Sequence, residues 1–352
     1  VANARLGSKR MTHWMLTDEE AQELLNDKRV LSVEIPPDQR NDIQIGIKAT
    51  QTSDFTKPSA VESDKVNWGL RRCIEATNIY TDGTTASNQY PYALDGTGVD
   101  VVIQDSGLQV DHPEFVGRVQ QIDWYTESGL SGSQNVNHYR DFDGHGTHCA
   151  GIAAGKTYGW AKNAHVYSQK LVGLEASSDP NSGIPISDAF DAIRLWHAGK
   201  ANGRPTIVNM SWGYSASVGG SPTGGNYRGT AWTWGVDYTA NLALWQATGI
   251  VIPISGASRI IPVRVPSVDA EIEDMIDAGI HVVIAAGNDY YKGDVIGGVD
   301  YDNTIVYGGS TYFYHRGSSP HSDEAIIVGN SDSLTRQSGV NFLDKTSNSS
   351  SR

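Results

Sequence analysis

Residues 141–155 read D-F-D-G-H-G-T-H-C-A-G-I-A-A-G and hold three groups that can carry chemistry: His145, His148 and Cys149. Gly146, Ala150, Gly151, Ala153, Ala154 and Gly155 have almost no side-chain volume. The stretch therefore predicts a buried, rigid helix that starts at His145 and packs closely on neighbouring backbone. An imidazole held at a helix start can be aimed accurately, and histidine is the side chain best suited to take and return a proton near neutral pH. Two other readings stay open here. Both histidines can be satisfied core or capping groups, and His145, His148 and Cys149 can hold a metal by spacing, although the H-E-x-x-H pattern is missing. The catalytic reading needs a partner carboxylate.

Upstream, residues 96–104, G-T-G-V-D-V-V-I-Q, read as an apolar strand after a glycine turn and deliver Asp105-Ser106-Gly107. A carboxylate at the C-terminal end of a buried strand stands where alternating β/α chains place their sites. Asp105 is therefore the expected partner. An aspartate that fixes the imidazole tautomer, with His145 as general base, makes two thirds of a nucleophilic triad. Downstream, strands are expected at 166–172, 206–210 and 280–286, and helices at 187–198 and 268–278. This alternation predicts a mostly parallel sheet covered on both faces. Ser211-Trp212-Gly213 follows one strand and Gly287-Asn288 another. The Asn288 amide can donate to a developing oxyanion, or the residue can serve only the backbone turn after its glycine.

The flanks are less specific. Thr17 followed by Glu20 predicts a capped helix over 17–26, a strand is expected at 30–35 before Pro36-Pro37, and residues 37–66 read as a polar linker. Residues 213–230 are glycine-rich without a phosphate-loop lysine and read as a flexible surface loop; Trp232, Trp234 and Trp245 read as packing. Cys73 and Cys149 support no disulfide assignment.

The 352 residues are enough for one large domain with a small one, or for two ordinary domains, and 39% hydrophobic residues allow a sizeable core. Lys plus Arg number 27 against 40 for Asp plus Glu, a net charge of -13, and no dense basic run relieves it. Nucleic acid is thereby excluded as an expected partner. The longest apolar runs are strand-length, so no membrane span is expected. Val1 is not an initiator Met, and the visible chain is expected to begin after processing.

These stretches together resemble the subtilisin-like serine peptidases, most closely the proteinase K branch. Residues 102–118, V-I-Q-D-S-G-L-Q-V-D-H-P-E-F-V-G-R, match the aspartate motif of that family, and G-H-G-T-H-C-A-G matches its histidine motif with the cysteine of that branch. Residues 209–213, 282–288 and 319–332 correspond to its substrate-strand, oxyanion and S-P-x-S-x-x-x-I-x-V-G-x-x-D segments, so the resemblance covers about residues 67–352. Asp before His is also the subtilisin order. The resemblance implies an α/β, three-layer subtilisin-like fold with a mostly parallel sheet. It implies Asp105 as orienter, His145 as base and acid, and Asn288 as oxyanion donor, with His148 and Cys149 as structural neighbours. Gly183-Ile184-Pro185 and Ser211-Trp212-Gly213 become the two backbone edges between which a peptide or protein substrate lies as an added strand, Pro185 lacking an N–H. A secreted or extracellular location is expected. Calcium is a candidate cofactor, with Asp111 suggestively placed, but its ligands are not assignable and no metal residue is assigned. Residues 1–36 resemble the second half of an inhibitory propeptide.

Two departures shape the functional expectation. The nucleophile of the family lies in a G-T-S-M-A-x-P helix, no G-T-S occurs in this chain, and Gly308-Gly309-Ser310-Thr311 is a poor substitute. The C-terminal part of the fold is expected to be missing from this chain, with the serine on a continuation or a separate C-terminal fragment. The second departure is an insertion at about residues 214–266, beside the cleft. The leading expectation is the Asp/His/oxyanion part of a serine endopeptidase; the alternative is a non-catalytic pseudo-peptidase acting in binding or assembly.

Overall fold

A computed structural model describes residues 2–3, 10–47, 94–174, 183–252, 258–289 and 291–329. Cys73, the tryptophan-glycine stretch at 67–70, residues 330–352 and most of the linker lie outside the described residues. In chain order the elements are β1 (Ala2–Asn3), β2 (His13–Trp14), α1 (Asp18–Leu25), β3 (Gln44–Ile47), β4 (Asp100–Asp105), β5 (Val119–Gln120), α2 (Trp124–Ser128), α3 (His145–Ala154), β6 (His165–Lys170), α4 (Ile186–Gly199), β7 (Thr206–Met210), β8 (Trp212–Val218), β9 (Gly224–Tyr227), β10 (Thr230–Thr233), α5 (Asn241–Thr248), β11 (Arg259–Pro262), α6 (Pro266–Asp277), β12 (His281–Ala285), β13 (Thr304–Tyr307), β14 (Ser310–Phe313) and β15 (Ile326–Val328).

The apolar run 99–103 does not alternate because its strand is covered on both sides: every residue of β4 is buried. Six strands form one sheet in the order β15-β12-β7-β4-β6-β5, and each neighbouring pair is parallel. Helices occupy both faces. Val102 and Val208 join Phe190, Ile193 and Trp196 of α4 and Val268, Ile272 and Met275 of α6 in one buried cluster. Val101 and Ile103 join Ala150 and Ala154 of α3 with Leu108 and Phe115 in the other. Successive residues of β4 thus feed opposite cores, as the two-residue strand period requires, and the architecture is the expected three-layer α/β fold. Parallel pairing also brings the C-terminal ends of β4, β7 and β12 to one edge of the sheet.

Helix α1 carries the expected capping box, with Thr17 Oγ1 accepting from Glu20 N at 3.2 Å and Glu20 Oε2 accepting from Thr17 N at 2.8 Å. The strand expected at 30–35 does not form. A strand needs a neighbour to take its backbone groups, and none is offered among the described residues, so Leu31 and Ile35 stay exposed. The strand of this region is β3, inside the polar linker. It pairs antiparallel with β8, Gln44 opposite Ser215 and Ile47 opposite Trp212.

Residues 213–230 are not a surface loop. They continue β8 and form the β9–β10 hairpin, which pairs through β9 with β13 in a four-stranded antiparallel sheet. The glycines are there because strands approach closely: a Cβ on Gly225 would overlap Thr304 O and stand 2.8 Å from the Trp232 ring. Trp232 is buried, as expected of a packing residue, while Trp245 is half exposed. Within residues 214–266, β11 returns to pair with β8. Gly308 and Gly309, both at positive φ, make the tight turn of the β13–β14 hairpin, so Ser310 begins a strand.

Charge joins α4 to α6. Arg194 is buried and bonded to Asp191, with Glu271 at 3.4 Å and Asp274 at 3.7 Å. Arg10 reaches the same group from outside, donating to Asp274 at 2.7 Å and Asp277 at 2.8 Å. Pro266 opens α6 without a side-chain cap of its own, and Glu34 Oε1 accepts from Ser267 N there at 2.6 Å. Among the described residues no helix is long and apolar enough to cross a membrane.

Candidate active site

Asp105 is the last residue of β4, wholly buried, and its Oδ1 lies 2.8 Å from His145 Nδ1. The same oxygen accepts from Ser106 N at 2.7 Å. An ionised carboxylate only accepts, so the contact sets the tautomer: Nδ1–H donates, and Nε2 is left to take a proton. His145 is itself 7% exposed. Burial disfavours the charged ring, but the hydrogen bond and charge of Asp105, helped by Cys149, outweigh it and push the His145 pKa up from 6.5 to about 10.

The small residues around His145 explain how the ring reaches Asp105. Gly144 is the helix N-cap at φ 90°, a left-handed conformation that favours glycine. A Cβ on Gly146 would overlap Gly107 O and stand 3.2 Å from Asp105 Cβ, so only glycine lets α3 sit this close to β4. The helix is buried on one face only: Ala150 and Ala154 are inaccessible, while Ile152 is 47% exposed. His148 lies on the exposed side, and burial together with the nearby charge of His145 lowers its pKa. Cys149 Sγ stands 3.7 Å from His145 Nδ1, and it is Asp105, not His148, that groups with His145 and Cys149, their ligand-type atoms lying within 4.8 Å of one another.

Asp141 ties the two elements together. Its Oδ1 accepts from Gly144 N at 2.8 Å and from Ser106 Oγ at 2.9 Å; its Oδ2 accepts from Thr147 N at 2.8 Å and Thr147 Oγ1 at 2.5 Å. Ser106 Oγ in turn accepts from Gly146 N at 2.9 Å, and Thr147 Oγ1 from Gln109 N at 2.9 Å. Sequence reasoning gave Ser106, Asp141 and Thr147 no role. The available signal was a carboxylate three residues before a glycine N-cap.

The other expected residues lie at or near the same sheet edge. Ser211 follows β7 directly and accepts from Asn209 Nδ2 at 3.0 Å; Trp212 and Gly213 open β8. Trp212 is wholly buried and stacks edge-on to Tyr214. Asn288 follows Gly287, at φ 93°, just past β12. Two strand spacings separate β4 from β12, roughly 10 Å across the sheet. Ile184 donates its N–H to Lys170 O at 2.8 Å and accepts from Val172 N at 3.1 Å, extending β6. Since backbone groups alternate in direction along an extended chain, Gly183 turns its own the other way, whereas Pro185 has no N–H and its carbonyl accepts from Asp188 N and Ala189 N of α4 at 3.0 Å. Asp111 is exposed in the turn after β4.

A model of the subtilase family matches residues 96–351. A subtilisin-like serine protease of Cochliobolus lunatus is 31% identical over 250 residues, which are 71% of this chain and 39% of that protein. The cuticle-degrading protease of Metarhizium anisopliae is 34% identical over 172 residues, 47% of this chain and 40% of that one. Proteinase R of Parengyodontium album is 33% identical over 157 residues, 45% and 36% of the two chains. Among solved structures, sphericase shares 23% identity at a TM-score of 0.40, covering 80% of this chain and 65% of that one. The chain thus spans about 40% of the length of these curated relatives. With its family model covering most of the sequence and its aspartate–histidine pair formed at the sheet edge, the chain belongs to the subtilase family.

Proposed function

We propose that this chain supplies the Asp105, His145 and Asn288 part of a serine endopeptidase, the nucleophilic serine standing on a continuation or a separate fragment. The buried 2.8 Å contact between Asp105 Oδ1 and His145 Nδ1 carries this reading. In it, His145 Nε2 takes the serine proton as the hydroxyl attacks a peptide carbonyl, Asp105 stabilises the imidazolium, and the proton passes to the leaving amine. The Asn288 amide donates to the oxyanion. Gly183 and the 211–213 edge hold the peptide as an added strand. The substrate is a peptide or protein, and the site of action is extracellular.

In the same reading residues 1–36 are a propeptide-like segment, and β3 of the linker that follows occupies the cleft. The support is that β3 pairs with the 212–215 stretch of β8, where a substrate strand is expected, while Glu34 caps α6 and Arg10 binds Asp274.

A fluorophosphonate probe tests the catalytic reading on the intact protein with every co-purifying chain. One labelled serine is expected, and His145→Ala should abolish its labelling. An absence of labelled serine in every chain, after residues 10–47 have been released, would sink the reading in favour of a non-catalytic assembly role.

A further inference from the structure

We infer that Asp141 is a positioning residue for the Asp105–His145 pair: its one carboxylate fixes the helix start that bears His145 and the strand end that bears Asp105. The inference rests on the peptidase reading only for its consequence on rate. Its geometric content stands apart.

An ordinary N-terminal cap accepts from its own helix and leaves the position of that helix on its neighbours to packing. Asp141 does more. Two of its four hydrogen bonds come from the amides of Gly144 and Thr147, which flank His145 on α3, and one from the hydroxyl of Thr147. The fourth comes from Ser106 Oγ, next to Asp105 and on the other element. Ser106 Oγ then accepts from Gly146 N, and Thr147 Oγ1 accepts from Gln109 N, so two further bonds cross between strand end and helix through hydroxyls that Asp141 orients. A hydroxyl has one proton to give. By taking those of Ser106 and Thr147, Asp141 leaves their lone pairs to the Gly146 and Gln109 amides.

Closeness alone does not hold the pair in register. Gly146 lies against Gly107 without a side chain, so the contact between α3 and β4 excludes volume but has no directional interlock of its own. The crossing hydrogen bonds supply direction. Without Asp141 both hydroxyls are free to turn, and the 2.8 Å contact of Asp105 with His145 loses its external brace. Displacements of about 1 Å at such a pair can cost roughly 100-fold in rate.

Three variants separate this role from simple capping. Asp141→Ala removes all four bonds. Asp141→Asn keeps an acceptor for Gly144 N, but its amide nitrogen can accept from neither Thr147 group. Ser106→Ala keeps the three bonds of Asp141 to Gly144 and Thr147 and removes the Ser106 bridge, that is, the bonds of its hydroxyl with Asp141 and Gly146 N. The readout is the low-field proton resonance of His145 Nδ1–H, together with the thermal unfolding midpoint and the rate of fluorophosphonate labelling. The expected result is a low-field resonance in the parent protein, lost or moved upfield by at least about 1 ppm in Asp141→Ala and shifted by less in Asp141→Asn and Ser106→Ala. Labelling should slow by roughly 100-fold in Asp141→Ala. Should Asp141→Ala not fold, the Ser106→Ala spectrum decides. A resonance unchanged in every folded variant overturns the inference, whether or not the protein labels. A resonance that moves as expected in a protein that never labels retains the positioning role and removes the peptidase reading.

Discussion

Asn288 and His145 make separable demands on a measurement. Removing one oxyanion donor in a subtilisin lowers kcat by roughly 100- to 1000-fold. With that magnitude carried over to the oxyanion role proposed for it, Asn288→Ala should lower kcat while leaving KM within about threefold, as steady-state kinetics on a peptide substrate will show. For His145 the sign follows from its raised pKa, about 10 folded against 6.5 unfolded. The folded state binds the proton more tightly, so the pair stabilises the fold fully below pH 6.5 and less as pH rises through the folded value. Asp105→Asn should therefore destabilise most below pH 6.5, and the gap to the parent in denaturant midpoint should narrow toward pH 10. In its proposed role of general base the ring must be unprotonated, so kcat/KM should climb on the alkaline side of neutrality. At this scale the sequence was legible where a motif spells out the chemistry: Asp105 and His145 met as expected. Asp141 was not legible, because it acts three residues before a glycine N-cap and through Ser106, a partner from another element.

Elements show why local reading fails where partners are distant. Residues 213–230 look like loop because glycine has no local preference, yet Gly225 serves a ladder with Ile305 far downstream. Residues 30–35 look like strand by composition, but a strand is defined by its neighbour and none is offered there among the described residues. By contrast α1, α4 and α6 carry their signals within themselves, in a capping box or an apolar face, and formed within a few residues of expectation. Two element-scale outcomes follow. Gly146→Ala forces a methyl into Gly107 O, and such overpacking typically costs about 1–3 kcal/mol, readable in the denaturant midpoint. Gly46→Pro removes a backbone donor in mid-strand, so hydrogen exchange at the Gly213 and Ser215 amides should quicken by at least about tenfold, the equivalent of ~1.4 kcal/mol, while the Tyr214 amide, bonded to Ser319 O, should not change.

Over the whole molecule, the layers could be read from alternation, whereas the strand order could not, since it depends on which ends meet after folding. The same holds for the charges that bind helix to helix. Arg194 and its three carboxylates are buried, so Arg194→Met should destabilise by about 3–5 kcal/mol through uncompensated charge. Arg10 is 42% exposed at the side chain, and Arg10→Ala should cost no more than about 1 kcal/mol. Urea unfolding of the two variants side by side checks the contrast. The pairing of β3 with β8 has a further consequence. Both strands belong to one chain, so their encounter does not weaken on dilution, and a tether of this kind holds its end at an effective concentration on the order of mM. Four residues that would bind poorly as a free peptide can thus stay seated. Once a peptide bond within residues 48–93 is cut, the same strand becomes a solute at bulk concentration, and its departure is set by how far the protein is diluted.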